Sequence, residues 1–504
     1  MKGASLRAYH DRTKHTPRSV RESGHFLDWR NEPSRFKRYV GLDPAPLPRF
    51  DPTGVPAFEA LARSADPVGE APVAIEGLSH LLFHSAGVSR TFRSDFGEFH
   101  FRTYASAGAL YPIEVYVVAG EVQGLEPGVY HYAPLEHGLI LLRRGDFRGS
   151  TGLAGALSGA ATVILTGIPR RTAWKYGTRG FRHLYWDAGM ILANMLASAA
   201  ALDVRARIHL GFLDRAANDT VGVDGRTEFA LCAMAMGIGG TPAPIDVPPL
   251  EQEAEPASAP AQGDPAIEEA HEAMELGSRN EVGVFQGGAP EVSPHQDEHL
   301  FPSVTPLAQE MLSTDPIEKV IRRRGSSRLF ARESTPASEF AAILDHALVG
   351  VPGDWLRDAR SVHPVVMAAA LDGLPSGIHD YSPGGRFLLR RAGTFRSEAG
   401  YLCLEQRLGA DAAAVTLLLC DLDRTLEGLG SRGYAAAQLE AAIVAGRIYL
   451  GAYAQCLGTS GITFYDDDVR RFLGTELEPM LVVVSGTEGR RAAIRRCRRT
   501  LQPS

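Results

Sequence analysis

The stretch Arg324-Gly-Ser-Ser-Arg328-Leu-Phe330 places two guanidiniums on either side of the Ser326 hydroxyl. In an extended segment alternate side chains share one face, so Arg324, Ser326 and Arg328 can converge on a single anion. Arginine contributes forked, permanently charged donors and serine a short neutral one, a set that suits a phosphate. Arg322 and Arg323 raise the local positive potential. The competing interpretation is the basic end of a helix over Glu318–Arg324 followed by an ordinary loop.

A partial copy earlier in the chain favours the anion grip. Ala86-Gly-Val-Ser-Arg90-Thr-Phe92 lines up with the heptad, and five further pairs keep the same order, all at offsets of 238 to 253 residues. They are Tyr111-Pro-Ile with His363-Pro-Val, Gly128-Val-Tyr-His-Tyr132 with Gly377-Ile-His-Asp-Tyr381, and Leu141-Leu-Arg-Arg144 with Leu388-Leu-Arg-Arg391. Ala160-Ala-Thr-Val-Ile then pairs with Ala412-Ala-Ala-Val-Thr, and Arg179-Gly-Phe181 with Arg432-Gly-Tyr434. Six ordered matches indicate a tandem duplication. The copies are unequal. The first keeps Arg90 but has Ala86 and Val88 where the second has Arg324 and Ser326. Conversely, the first has a small-residue turn, Ala105-Ser106-Ala107-Gly108-Ala109-Leu-Tyr-Pro112, that lets a flat ring approach the backbone. The second has the bulkier Leu356-Arg-Asp-Ala-Arg-Ser-Val-His-Pro364 there. One half retains a phosphate grip and the other a ring platform, so one composite site is expected where the halves meet.

Each copy reads as α+β. Glu114–Val118, Val163–Thr166 and Met480–Val484 are short β-branched runs that fit buried strands. Tyr185–Val204 and Leu439–Leu457 are long and apolar nearly all round, as central helices are. Together they predict an intramolecular pseudo-dimer. The division expected is a polar N-terminal extension (1–65), a first domain (66–240), an acidic Pro/Ala-rich linker (241–304) and a second domain (305–504). The linker composition predicts a mostly disordered segment, with a short helix around Pro265–Leu276.

With 504 residues, 44% hydrophobic and 22% charged, the chain has material for two sizeable cores. Five scattered cysteines with no C-x-x-C pair argue against a zinc site and against a secreted disulfide framework, so no metal is expected and a cytoplasmic location is. Met1–Trp29 has no apolar run of the signal-peptide kind. The apolar run Met190–Leu202 is too short to cross a bilayer. The net charge of -7 is uneven: residues 251–300 hold twelve acidic side chains against Arg279 alone, which leaves the remainder slightly basic. No nucleic-acid surface is expected. The basic run Arg490–Arg499 is either a small anion site or a solvated helix end.

These motifs resemble the nitroreductase superfamily of FMN enzymes, and within it the SagB/ThcOx-type dehydrogenases. The resemblance covers both halves and implies two tandem nitroreductase-like domains, with FMN gripped by Arg324, Ser326 and Arg328 of one and seated on Ser106, Ala107, Gly108 and Ala109 of the other. It further implies flavin contacts from Gly461, Ile462 and Thr463, from Arg490 and Arg491 near the carboxyl end, and from Gln406, which can equally be an exposed helix residue. Ala105 departs from the family's proline before the serine, a change that loosens the turn. The segment Tyr9–His15 with Asp28-Trp29 resembles the leader of tandem SagB-type proteins.

The resemblance also assigns catalysis to a Lys-Tyr pair, here Lys175 and Tyr176. The matching Leu429-Gly-Ser-Arg432 of the second copy lacks it. Aromatising a thiazoline or oxazoline removes a hydride from one carbon and a proton from its neighbour, and a lysine with a lowered pKa beside a tyrosine suits the proton step. The bland alternative is a lysine snorkelling at a loop exit. His183 and His209 read as loop or core residues. No G-x-G-x-x-G follows a strand, so either a nicotinamide docks directly on the flavin or electrons pass to oxygen. The implied activity is FMN-dependent dehydrogenation of an azoline-like bond in a peptide-derived product, with a cyclodehydratase and precursor peptide as partners and no membrane involved. The rivals are an NAD(P)H-dependent reductase of nitroaromatics, quinones or enones, and a non-catalytic scaffold. The chain is expected as a monomeric pseudo-dimer or a homo-oligomer.

Overall fold

A computed structural model describes residues 2–66, 68–95, 97–153, 159–240, 242–258, 263–288, 304–356 and 360–489. The chain begins with helices α1 (Lys2–Arg12) and α2 (Pro17–Arg21). The first half then runs β1 (Ala45–Pro46), α3 (Ala57–Arg63), α4 (Ile75–Ala86), the hairpin β2 (Val88–Ser94) and β3 (Gly97–Arg102), and β4 (Ile113–Ala119). It continues through β5 (Gly128–Ala133), β6 (Gly138–Arg144), β7 (Ala161–Gly167), α5 (Pro169–Tyr176), α6 (Gly180–Ala201), β8 (Ala206–His209), α7 (Asp214–Val221) and β9 (Phe229–Met236). Seven strands form one antiparallel sheet in the order β1-β6-β5-β4-β7-β9-β8.

Helices α8 (Pro265–Met274) and α9 (Arg279–Gly287) connect the halves. The second half comprises α10 (Ile317–Arg323), β10 (Thr335–Pro336), α11 (Ala337–Ala347), β11 (Val362–Ala368), β12 (Leu371–Asp372), β13 (Gly377–Ser382), β14 (Arg386–Ala392), α12 (Arg396–Leu402) and α13 (Arg407–Asp411). It ends with β15 (Ala414–Cys420), α14 (Leu422–Leu429), α15 (Gly433–Ala454), β16 (Gly458–Ile462), α16 (Asp466–Leu473) and β17 (Glu478–Gly486). Its antiparallel sheet has the order β14-β13-β11-β15-β17-β16, and β10 pairs with β12 alone. The expected pseudo-dimer of two α+β halves is what the chain forms.

The halves are built around α6 and α15, both 22 residues long and buried at every position. A helix apolar all round is stable only when covered on all sides, and here each covers the other. The chain enters both alike: α5 ends at Gly177 (φ 55°) and α14 at Gly430 (φ 62°), where positive φ turns the backbone into the central helix. Buried ion pairs cross the interface reciprocally. Arg179 and Arg182 hold Asp466 at 2.9 Å each, and Arg432 holds Asp214 with both ends of its fork at 2.9 and 3.0 Å. Among the described residues no helix is long and apolar enough to cross a membrane. Cys232, Cys403 and Cys420 are buried free thiols, whereas Cys456 is disulfide-bonded.

Two expectations need correction. The Ala86–Phe92 stretch is not the counterpart of the Arg324–Phe330 grip. The grip follows α10, which matches α3, while Ala86–Phe92 follows α4, which matches α11. The true counterpart is the loop 64–74, which carries no Lys or Arg. Arg90 instead lies on the β2–β3 hairpin, 4.6 Å above the Phe101 ring. Second, the linker is not mostly disordered over 263–288. Asp264 caps α8, and Ile267, Ala270, Met274, Val282 and Phe285 are buried because α8 and α9 lie against α1 and α14. The N-terminal extension, to which the sequence assigned no packing role, joins both halves. Tyr9 donates to the Thr178 carbonyl of the first at 2.7 Å, and Lys14 reaches Glu478 of the second at 3.0 Å.

Candidate functional site

The grip leaves α10 through its C-cap residue Arg324 and runs between the halves. Arg324 donates to the Thr103 and Arg102 carbonyls of the first half at 3.0 and 3.1 Å, so it staples the grip to the foot of the platform as well as carrying charge. Ser326 and Arg328 are exposed, and the Ser326 hydroxyl lies 3.3 Å from that of Tyr449 on α15. Tyr449 also accepts the Gly461 N–H from β16. The grip and the Gly461–Thr463 segment thus meet at one tyrosine, which sequence reasoning did not single out.

The platform turn is tightly specified. Gly108, Ala109 and Tyr111 all have positive φ (63°, 54° and 49°), a costly state for the two non-glycines, held in place by side-chain bonds. Ser106 Oγ accepts the Tyr111 N–H at 3.0 Å, and Asp187 Oδ1, from α6, accepts the Ala107 N–H at 3.1 Å. A Cβ on Gly108 would stand 3.0 Å from the Tyr176 hydroxyl and 3.2 Å from Lys175 Nζ. The platform and the Lys-Tyr pair, assigned separately in the sequence, therefore lie against each other, and a side chain at Gly108 would be strained by its positive φ and tight against both.

Lys175 and Tyr176 are the last two residues of α5. The Tyr176 ring lies against His183, with centroids 4.1 Å apart. Burial, helped by the charge on Asp187, raises the Tyr176 pKa above its ordinary value. Partial burial lowers the Lys175 pKa, and the guanidiniums of Arg328 and Arg35 lower it further. Arg328 belongs to the grip, so the later half reaches the chemistry-bearing pair of the earlier half electrostatically. Arg35 comes from an N-terminal strap pinned to α5, where Trp174 Nε1 donates to the Asp28 carbonyl at 2.8 Å.

Gln406 is half-buried at the start of α13, and its amide donates to the Thr463 hydroxyl at 3.3 Å; it is neither fully exposed nor isolated. Arg490 and Arg491 lie outside the described residues.

The pseudo-equivalent region of the opposite side is filled. By strand register Ile208 on β8 corresponds to Gly461 on β16. Ile208 donates to the Pro352 carbonyl at 2.7 Å, and the Asp354 carboxylate accepts the Leu210 and Gly211 N–H groups at 2.8 and 3.0 Å. Trp355 beside it is wholly buried. The Ile208 amide is thus met by backbone of the second half, where its counterpart Gly461 is met by the Tyr449 hydroxyl, and the Asp354 carboxylate fills the space beyond. The donor set of the first region suits a phosphate-bearing flat ring: an exposed serine and arginine on the grip, and a positive-φ glycine turn that leaves the backbone open to close approach.

Comparison with known proteins bears on the fold. Residues 69–238 match the nitroreductase family model. A Methanocaldococcus jannaschii protein assigned as a nitroreductase is 29% identical over 180 residues, 35% of this chain and 86% of that one. The microcin B17-processing protein McbC of Escherichia coli is 28% identical over 149 residues, 27% of this chain and 54% of McbC. A crystal structure from Anabaena variabilis, assigned as a nitroreductase, superposes with a TM-score of 0.76 at 25% identity over 96% of this chain and 99% of that one.

Proposed function

We propose that this chain, an oxidoreductase of the nitroreductase superfamily with SagB-like character, binds one FMN per polypeptide and dehydrogenates an azoline-like heterocycle in a peptide-derived product. What supports the proposal is that Arg324 of the second half bonds the Thr103 carbonyl just before the Ser106–Ala109 turn, that Arg328 lowers the Lys175 pKa, and that the turn lies against the Lys175-Tyr176 pair. McbC, a microcin-processing protein, supports a peptide-derived substrate, and with it a cyclodehydratase partner. Arg328 and Ser326 would hold the phosphate and the Ser106–Ala109 turn the ring, with Gly461–Thr463 and Gln406 alongside.

Bound FMN would supply a two-electron acceptor for the hydride leaving one ring carbon. Lys175, its ammonium destabilised by burial and two arginines, takes the proton from the neighbouring carbon. Tyr176, kept protonated by its raised pKa, donates a hydrogen bond where negative charge develops. The 29% identity to a protein assigned as a nitroreductase makes NAD(P)H-dependent reduction the second reading.

The test begins with the visible spectrum of the purified protein and identification of any released flavin. An azoline-containing peptide is then incubated with it, and loss of two hydrogens is followed by mass spectrometry. Dehydrogenation by wild type and none by a flavin-loaded Lys175→Ala supports the proposal. NAD(P)H oxidation driven by a nitro or quinone acceptor, without azoline turnover, supports the reductase instead. Colourless protein that takes up no FMN leaves the scaffold reading.

A further inference from the structure

Helix α6 contains one carboxyl, Asp187, in an otherwise apolar or neutral-to-basic run, and α15 contains one, Glu440, at the same position of its own sequence. Both are buried and both hold the turn beneath the first long strand of their half. Asp187 accepts the Ala107 N–H and bonds the Ser106 hydroxyl, while Glu440 accepts the Ser361 N–H and its hydroxyl. The shared geometry gives both a structural task. Only Asp187 has more to do.

Its second oxygen, Oδ2, is buried without a hydrogen-bond partner among the described residues. Several titratable groups face it: Tyr104 and Tyr111 of the platform, Tyr176 at the end of α5, and Arg102 of β3. His183, one turn earlier on α6, is kept neutral by burial and by Arg179, and stacks on Tyr176. Beyond Tyr176 stand Lys175 and Arg328. A charge on Asp187 is thus felt at the platform and at the pair. Burial pushes its pKa up to about 7, so that charge comes and goes near neutrality.

We infer that Asp187 is the positioning residue of the ring seat: it fixes the Ser106–Ala109 turn from below and, by gaining or losing its proton, sets the field on Tyr176 and on the bound ring. The inference rests on the flavin reading above. Ionised Asp187 places negative charge under the seat, which disfavours adding electrons there. The midpoint potential of the bound flavin therefore falls more steeply as pH rises through neutrality than it does without this group.

The experiment measures flavin midpoint potential against pH for wild type, Asp187→Asn and Glu440→Gln, and FMN affinity for Asp187→Ala. Asp187→Asn preserves the acceptor for Ala107, so it should retain FMN, match the wild-type potential in mild acid and exceed it in mild alkali. Asp187→Ala, which removes that acceptor, should bind FMN at least tenfold more weakly. Glu440→Gln should track wild type. A yellow wild type whose potential is unmoved by Asp187→Asn at every pH overturns this inference and leaves the flavin reading intact. An equal shift from Glu440→Gln overturns it also, because the effect would then be global. A wild-type protein that takes up no FMN overturns the flavin reading and removes this inference with it.

Discussion

Gly189 of α6 packs directly against Ala442 of α15, and these two residues hold the same position in the two halves. Four residues on, the relationship is mirrored, with Ala193 against Gly446. The pseudo-twofold axis therefore passes between these contacts, and each crossing point has room for one methyl group, supplied alternately by one helix and then the other. A Cβ added at Gly189 would stand 2.4 Å from that of Ala442, and one at Gly446 would stand 2.5 Å from that of Ala193. Gly446→Ala should therefore cost about 1–3 kcal/mol despite the better helix propensity of alanine. Combining it with Ala193→Gly returns the crossing to one methyl, leaves the next neighbours at 3.5 Å, and should recover much of that loss. Urea denaturation of the two singles and the double forms the cycle. Additive destabilisation would mean that the crossing does not depend on this complementarity.

The grip gives a second expectation. Arg324→Ala with Arg328→Ala removes both a staple to the first half and the exposed guanidinium beside Lys175, so the protein should purify without flavin. Arg90→Ala alters only an arginine on the hairpin face, over Phe101, and should stay yellow. Equal flavin loss from both would mean that the hairpin, not the α10 loop, carries the anion.

Local patterning carried the framework of the fold. The β-branched runs at Glu114, Val163 and Met480 fall within β4, β7 and β17, and the two apolar stretches cover most of α6 and α15, each running three residues past the helix end, because burial on all sides leaves few polar positions to confuse the period. The Ser106 turn and the Lys175-Tyr176 pair were legible as separate motifs, but their contact through Gly108 was not, since it depends on how α5 returns over the sheet. The heptad alignment failed at Arg90 because an Arg-x-Phe match is short enough to recur, and a hairpin inserted after α4 supplied it. The short helix expected around Pro265–Leu276 is α8, but composition missed α9 and the docking of both: their apolar residues are few but sit at helical spacing, and packing onto α1 and α14 supplies the burial that the segment lacks alone. The lone carboxyls Asp187 and Glu440, 253 residues apart, were a readable signal that went unread.

The pH dependence of stability follows from Glu440. Burial raises its pKa from an ordinary 4.5 to about 7, partly offset by its bonds to Ser361. Between those values the folded chain holds a proton that the unfolded chain has released, so the contribution of Glu440 is greatest in acid and is lost as pH rises towards and through 7. Glu440→Gln removes this term. Relative to the variant, wild type should lose stability between about pH 5 and about pH 8, read as the difference between their urea midpoints. A constant difference across that range would show that Glu440 does not change protonation on unfolding.

The helices between the halves should be indispensable to stability. Phe285 of α9 is buried, and Gln286 beside it donates to Asp354 Oδ2 at 2.9 Å, the carboxylate that satisfies the Leu210 and Gly211 amides. On α8, Met274 is buried, and the Leu276 N–H just beyond it donates to Asp214 at 2.7 Å, the acid that Arg432 grips across the interface. A disordered spacer would tolerate Phe285→Ala without effect. A packed helix should instead lose about 3–5 kcal/mol through the cavity left behind. Excision of 263–288 should go further, exposing α1 and α14 and leaving the Asp214 and Asp354 groups short of partners. If Phe285→Ala leaves the urea midpoint within error of wild type, α9 is not docked as described; if the midpoint falls by that amount while flavin content at low denaturant is unchanged, the helices brace the closed side of the molecule and leave the open one to the grip and platform.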